Sequence, residues 1–196
     1  MGASKKPARG SVFFREVVGA TAVDPHLEAC LQCGTCGGSC PSGNDMEHTP
    51  RTLFAMIAAG MRETVLRSNT PWYCVSCYYC MERCPQEVHI TDVMYTLKRL
   101  AIKEGFSRQS SAAQAPAFSE TFMEHVERYG RSFELGLITR YFLRHRPLDT
   151  VKIAPIGAGM LRRKRFDLTP RKIRQIEQLQ AILARADELE RNAYRV

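Results

Sequence analysis

Apolar residues recur at helical spacing through much of the 196-residue chain, and nowhere do they settle into the strict alternation of a half-buried strand. Phe13, Phe14, Val17 and Val18 predict a short helix near the start, and Asp24-Pro25 reads as a second helix start running into Cys30. Thr49-Pro50 is an N-cap followed by proline, and Leu53, Met56, Ile57, Gly60 and Met61 follow on one face. The pattern recurs at Thr91, an expected N-cap, with Val93, Met94, Leu97, Leu100 and Ala101 behind it and a stop at Gly105. Residues 107–117 read as a linker. Two helices are expected over Ser119–Tyr129 and Ser132–Arg144, parted at Gly130 and closed near Pro147. Val151–Gly159, broken by Pro155, Gly157 and Gly159, should be irregular. Beyond Thr169-Pro170 a last helix should run to about Asn192, with Ile173, Ile176, Leu179, Leu183 and Ala186 forming a stripe suited to docking. The fold class expected is all-α.

Two cysteine runs interrupt this helical pattern. They are Cys30-x2-Cys33-x2-Cys36-x3-Cys40-Pro41 and Cys74-x2-Cys77-x2-Cys80-x3-Cys84-Pro85, and together they use all eight cysteines at a constant offset of 44 residues. This is the spacing of bacterial [4Fe–4S] runs. Cysteines three apart on a curled loop reach three corners of a cubane, while the fourth, turned away by the following proline, ligates the other cluster. The assignment that follows is Cys30, Cys33, Cys36 and Cys84 for one cluster, and Cys74, Cys77, Cys80 and Cys40 for its partner. A disulfide framework needs an oxidising compartment, and no secretory signal is visible. Structural zinc favours C-x2-C pairs, so a third cysteine at the same spacing followed by C-P argues for iron.

The formal charge of +8 invites a nucleic-acid reading. Two thiolate-bound clusters, each contributing about −2, bring it to about +4. No uninterrupted apolar run approaches the length of a membrane span, and a cytoplasmic protein is expected. Residues 1–11 read as a flexible basic leader.

Around the runs, Gly34, Gly37 and Gly38 suit a tight loop or close approach of backbone N–H groups to cluster sulfurs. Trp72, Tyr73, Tyr78 and Tyr79 are read as core packing first and a partner surface second. His48 and His89 are loop histidines, since eight cysteines already fill eight positions. Arg162–Arg165 is a basic run for an acidic partner face, a lipid surface or plain solvent.

Cys30-x2-Cys33-Gly-x-Cys36-x3-Cys40-Pro41-Ser42 and Trp72-x-Cys74-x2-Cys77-Tyr-x-Cys80-x2-Arg83-Cys84-Pro85 resemble the C subunit of heterodisulfide reductase. The resemblance is strong from Val12 to Gly105 and weaker from Met160 to Lys172. It implies an α-helical ferredoxin domain over residues 12–106 with two [4Fe–4S] clusters, and a helical, basic docking extension over 107–196. It implies no substrate site on this chain, which would relay electrons to or from a CCG-domain B subunit (HdrB-like) beside a flavoprotein A subunit (HdrA-like), in a hetero-oligomer. The direction of flow and the substrate stay open. The alternatives carried forward are the iron–sulfur subunit of a flavin dehydrogenase feeding quinone, and a zinc-bound basic protein binding nucleic acid through Arg162–Arg174.

Overall fold

The computed structural model describes residues 10–193, with side chains described through Leu189. The expected leader therefore lies almost wholly outside the described residues. Among the described residues every regular element is helical. The chain divides into two compact units, residues 1–116 and 117–196.

The first unit is built on α1 (Val12–Ala20), α3 (Pro50–Ala58), α4 (Arg62–Arg67) and α7 (Ile90–Lys103). Ser11 caps α1: its hydroxyl accepts from Phe14 N at 3.1 Å and donates to Ile57 O at 2.9 Å, joining α1 to α3. Thr49 caps α3, with Pro50 at the first helical position, as the sequence predicts. Gly60 ends α3 at φ +80°, a left-handed turn that returns Gly60 N to Ile57 O and Met61 N to Met56 O. Phe13, Val17, Leu53, Ile57, Val65, Leu66, Val93, Met94 and Leu97 close into one dry core, in which α7 is the central member. Arg62 then ties three elements at the surface. Its guanidinium binds Glu16 of α1 at 2.8 Å and Glu104 at the end of α7, and lies 5.5 Å from the Phe13 ring centre.

Several expectations are corrected here. Asp24-Pro25 opens no α-helix. His26 stands at φ +50° with its N–H on Asp24 Oδ1, and only a 3-10 turn, Leu27–Ala29, leads into Cys30. α7 starts at Ile90 with His89 at the N-cap, so Thr91 lies inside the first turn. The 107–117 stretch is partly structured: a 3-10 turn covers Phe106–Gln109, Ser107 and Ser110 are buried, and α8 begins at Gln114.

The second unit contains α8 (Gln114–Tyr129) from residue 117 onward, with α9 (Glu134–His145), α10 (Asp149–Arg162) and α11 (Ile176–Ala193). Glu124 of α8 meets Arg140 and Arg144 of α9, both at 2.8 Å, beside an edge-on Phe118–Tyr141 pair. The segment Val151–Gly159 is helical in spite of Pro155. Packing of α10 on α9, and Asp149 paired with Arg146 and Lys152, carry the helix past its breaker. α11 starts six residues after Pro170, because Ile173 N is held by Tyr129 O at 3.0 Å and the chain stays unwound until Ile176.

Candidate iron–sulfur site

The two cysteine runs fold alike. Cys30 follows the 3-10 turn Leu27–Ala29, and Cys74 follows α5 (Thr70–Tyr73), with equivalent bonds Cys30 N to Leu27 O and Cys74 N to Pro71 O, both 3.3 Å. The middle of each run winds into a single helical turn, α2 (Thr35–Gly38) and α6 (Tyr79–Glu82). Gln32 and Ser76 are both left-handed, at φ +58° and +54°. So are Gly34 and Tyr78, at φ +85° and +62°. Each pair is separated by 44 residues, so the sequence repeat is also a backbone repeat. A glycine takes that conformation freely, while a tyrosine is strained by it, which marks the second loop as the more constrained.

The stretches that leave each run reach across to the approach of the other. Beyond Cys84-Pro85, His89 N donates to Pro25 O at 3.0 Å, just ahead of the first run. Beyond Cys40-Pro41, the link is a buried polar clasp. Asn69 Nδ2 donates to Asp45 O at 3.2 Å, Glu47 N donates to Asn69 Oδ1 at 2.8 Å, and Asn69 N donates to Glu47 Oε2 at 3.1 Å. Thr70 Oγ1 accepts from His48 N and donates to His48 O, at 3.1 and 2.8 Å. His89 and Asp45, like Asn69 and Pro25, are again 44 residues apart. At the centre of the repeat Arg83 reaches Ser39, its own 44-residue equivalent, at 3.4 Å.

This crossing sorts the thiols. One cavity is lined by Cys30, Cys33 and Cys36 together with Cys84, and walled by Phe54, Pro85, Val88 and Ile90. Cys40 lies in the electrostatic field of Cys74 and Cys77, and Cys80 in that of Cys74 and Cys77, with Cys36 behind. Burial pushes the Cys36 and Cys40 thiols above their ordinary range, and Cys80 up to about 11. Cys33 moves the other way, because the Thr35 hydroxyl, 3.3 Å from its sulfur, favours the thiolate. Val88 N donates to Cys84 Sγ, and Gln32 Nε2 to Cys30 Sγ, both at 3.4 Å. Arg51 stands beside Cys33 on the rim.

A donor set of eight thiols, seven of them half-buried and Cys33 exposed at the rim, suits iron–sulfur clusters: thiolates ligate every iron, and the apolar walls set the local dielectric. Among the described residues no three His, Cys, Asp or Glu side chains converge on a point that one ion could occupy.

The profile of the 4Fe-4S dicluster domain matches residues 26–88. This stretch is a 4Fe-4S dicluster domain. Its cofactors are [4Fe–4S] clusters, two by the domain's description. The chain is also 44% identical over 79 residues to the second iron-sulfur C subunit of CoB–CoM heterodisulfide reductase from Methanocaldococcus jannaschii, covering 40% of this chain and 42% of that one. It is 46% identical over 82 residues to the C subunit of the ferredoxin:CoB-CoM heterodisulfide reductase of Methanosarcina mazei, covering 41% and 49%. Over 93 residues it is 41% identical to the C subunit of the H2:CoB-CoM heterodisulfide, ferredoxin reductase of Methanothermobacter marburgensis, covering 47% and 50%. The chain thus spans half or less of the length of these relatives.

The remaining candidates divide. Trp72 packs half-buried against the core beside Lys98, whose ammonium also reaches Cys74 O at 3.4 Å. The tyrosines do not follow it: Tyr78 is 47% and Tyr79 59% exposed, so the expected core role is corrected to a surface one. Leu31 and Val75, equivalent positions beside the first cysteine of each run, are exposed as well. The His89 ring is paired with Asp92 at 3.1 Å, and His48 serves the clasp through its backbone. Arg162–Arg165 is exposed at and beyond the end of α10. Sequence reasoning missed the clasp. Asn69 and Thr70 carry no motif, and only the 44-residue offset from Pro25 could have pointed to that place.

Proposed function

We propose that this chain is the electron-relay subunit of a heterodisulfide reductase-like complex. In this reading Cys30, Cys33, Cys36 and Cys84 hold one cluster, and Cys74, Cys77, Cys80 and Cys40 hold the other. The observation that carries the reading is the cavity in which Cys84, from the second run, joins three cysteines of the first. Each bound cluster supplies a one-electron centre. The chain's own residues exclude water through Phe54, Val88 and Ile90, hold the exchanged cysteines in place through the two cross-links, and set cations, Arg51 and Lys98, near the anionic sites.

The similar proteins are named as iron-sulfur or C subunits of heterodisulfide reductases, and the rest of the reading follows from that likeness. The partners are a CCG-domain subunit, where a disulfide is reduced or a sulfur compound oxidised, and a flavoprotein, in a cytoplasmic hetero-oligomer. Free thiolates and clusters fit a reducing compartment. The basic second unit, with Arg162–Arg165 exposed, is the docking extension.

Anaerobic isolation of the tagged chain from its native cells, followed by identification of the subunits that come with it, tests this directly. A CCG-domain subunit and a flavoprotein in fixed ratio are expected. Recovery with a flavin dehydrogenase that reduces quinone, and with no CCG-domain subunit, would replace this reading by the other iron–sulfur one.

A further inference from the structure

The 44-residue repeat extends beyond the cysteine loops into the helices that follow them. α3 packs on α2 of the first run, and α7 on α6 of the second. In α3, Arg51 and Phe54 wall the cavity that gathers the first-run cysteines with Cys84. Their equivalents in α7 are Tyr95 and Lys98, so each site has one cation and one aromatic ring, at exchanged positions. The contacts of the second pair agree with that placement. The Lys98 ammonium lies 3.4 Å from Cys74 O, the carbonyl of a second-run cysteine. It also lies 4.9 Å from the Tyr95 ring centre and 6.0 Å from that of Trp72. The Tyr95 hydroxyl is bonded to Ser76 Oγ at 2.8 Å, between Cys74 and Cys77, so ring and cation close on one loop. The exchange changes how each charge meets water. Arg51 is exposed, whereas Lys98 is half-buried and held by a carbonyl and two rings.

We propose that Lys98 is a positioning residue of the second-run site: it holds a positive charge against the Cys74 loop and raises the reduction potential of the cluster bound there. Reduction adds one negative charge to a site that its thiolates already make anionic, and a nearby cation favours the more negative state. Such an effect falls with distance and with access of water and salt, so a half-buried ammonium at a ligand loop acts mainly on its own site. Arg51 acts in the same direction at the first site, as do the hydrogen bonds to Cys30, Cys33 and Cys84. Lys98 therefore sets the level of one cluster without by itself ordering the two. The inference rests on the cluster-ligand reading above.

The test is a redox titration followed by low-temperature EPR on the full chain, with iron content measured for every sample. Lys98→Met removes the charge and keeps most of the length. Lys98→Gln removes the charge and keeps a donor for the Cys74 carbonyl, and Lys98→Arg keeps the charge. Both neutral variants should lower the midpoint of one signal by more than that of the other, and the arginine variant should return it toward the wild-type value. Arg51→Met should lower the other midpoint instead. Should the methionine variant yield no holoprotein, the glutamine variant makes the same comparison. Full iron content with both midpoints unmoved overturns the proposal while leaving the two-cluster reading intact. A glutamine variant at the wild-type potential beside a lowered methionine variant overturns it too, since the carbonyl bond would then be the whole role of Lys98. Equal shifts of both midpoints, or an arginine variant that restores nothing, overturn it as well. Wild-type protein that takes up no iron refutes the ligand reading itself, and this inference with it.

Discussion

The exchange of cysteines between the runs can be decided by counting iron. Each cubane holds four irons, so a fully loaded chain carries about eight. Cys84 shares a cavity with Cys30, Cys33 and Cys36 although 54 residues of sequence separate it from Cys30. Removing any one of these four thiolates opens the same cluster. Cys33→Ala and Cys84→Ala should therefore each leave about four irons per chain when that cluster is lost. The double variant Cys33→Ala/Cys84→Ala should still leave about four, because both changes strike one cluster. Cys77→Ala/Cys84→Ala should leave almost none, because it strikes both. This is a double-mutant cycle in which non-additivity reports a shared partner. The assay is iron and acid-labile sulfide per folded chain after identical anaerobic reconstitution, with circular dichroism confirming helix content. Should each damaged site keep three irons, the two doubles would hold about seven and about six, and the contrast is then read by EPR as one intact [4Fe–4S] centre in Cys33→Ala/Cys84→Ala and none in Cys77→Ala/Cys84→Ala. The opposite pattern would refute the exchange. Near-zero iron in Cys33→Ala/Cys84→Ala and about four in Cys77→Ala/Cys84→Ala would mean that each run serves its own cluster.

Thr70→Val removes a fully buried hydroxyl and strands His48 N–H and C=O. It should cost about 1–3 kcal/mol and speed iron loss from the cluster that includes Cys40, measured by thermal melting and by chelator kinetics. An unchanged melting temperature would remove the clasp from the account. Arg62→Ala breaks pairs to Glu16 and Glu104 and the contact with Phe13. The three charged side chains are about a third exposed, so solvent screens the pairs, and a loss of about 1–2 kcal/mol with full iron content is expected from the same melts. Tyr78→Gly relieves a tyrosine at φ +62° and should raise stability by up to about 1 kcal/mol; a fall of that size would show the exposed ring to be packed in the holoprotein.

Much of this was open to reading because each step was local. Thr49-Pro50 bounds its helix by chemistry that lies within a few residues, and the stripes Leu53–Ile57 and Val93–Leu100 bury the faces their spacing marks; Gly60 and Met61, read as part of the first stripe, instead lie beyond the end of α3, which Gly60 closes at φ +80°. The cysteine spacing, followed by proline, carried the site. Less was visible where distant groups decide the outcome. The α10 helix survives Pro155 through packing on α9, and the start of α11 is set by a bond from Ile173 to Tyr129, 44 residues away in sequence. The tyrosines beside the second run look like core residues by composition, but α6 turns them outward. Thr91 has the look of a cap, and moves inside the helix because His89 takes that position. The clasp at Asn69 and Thr70 joins two loops 22 residues apart, and no local pattern announces it.

The central claim is that one small helical unit holds two cubanes close together. Iron and sulfide analysis with low-temperature EPR on anaerobically purified, dithionite-reduced protein tests it most directly. About eight irons and eight sulfides per chain are predicted, with a spectrum broadened by two interacting S = 1/2 centres. Zinc in place of iron, or one isolated [4Fe–4S] signal at full iron loading, would contradict it.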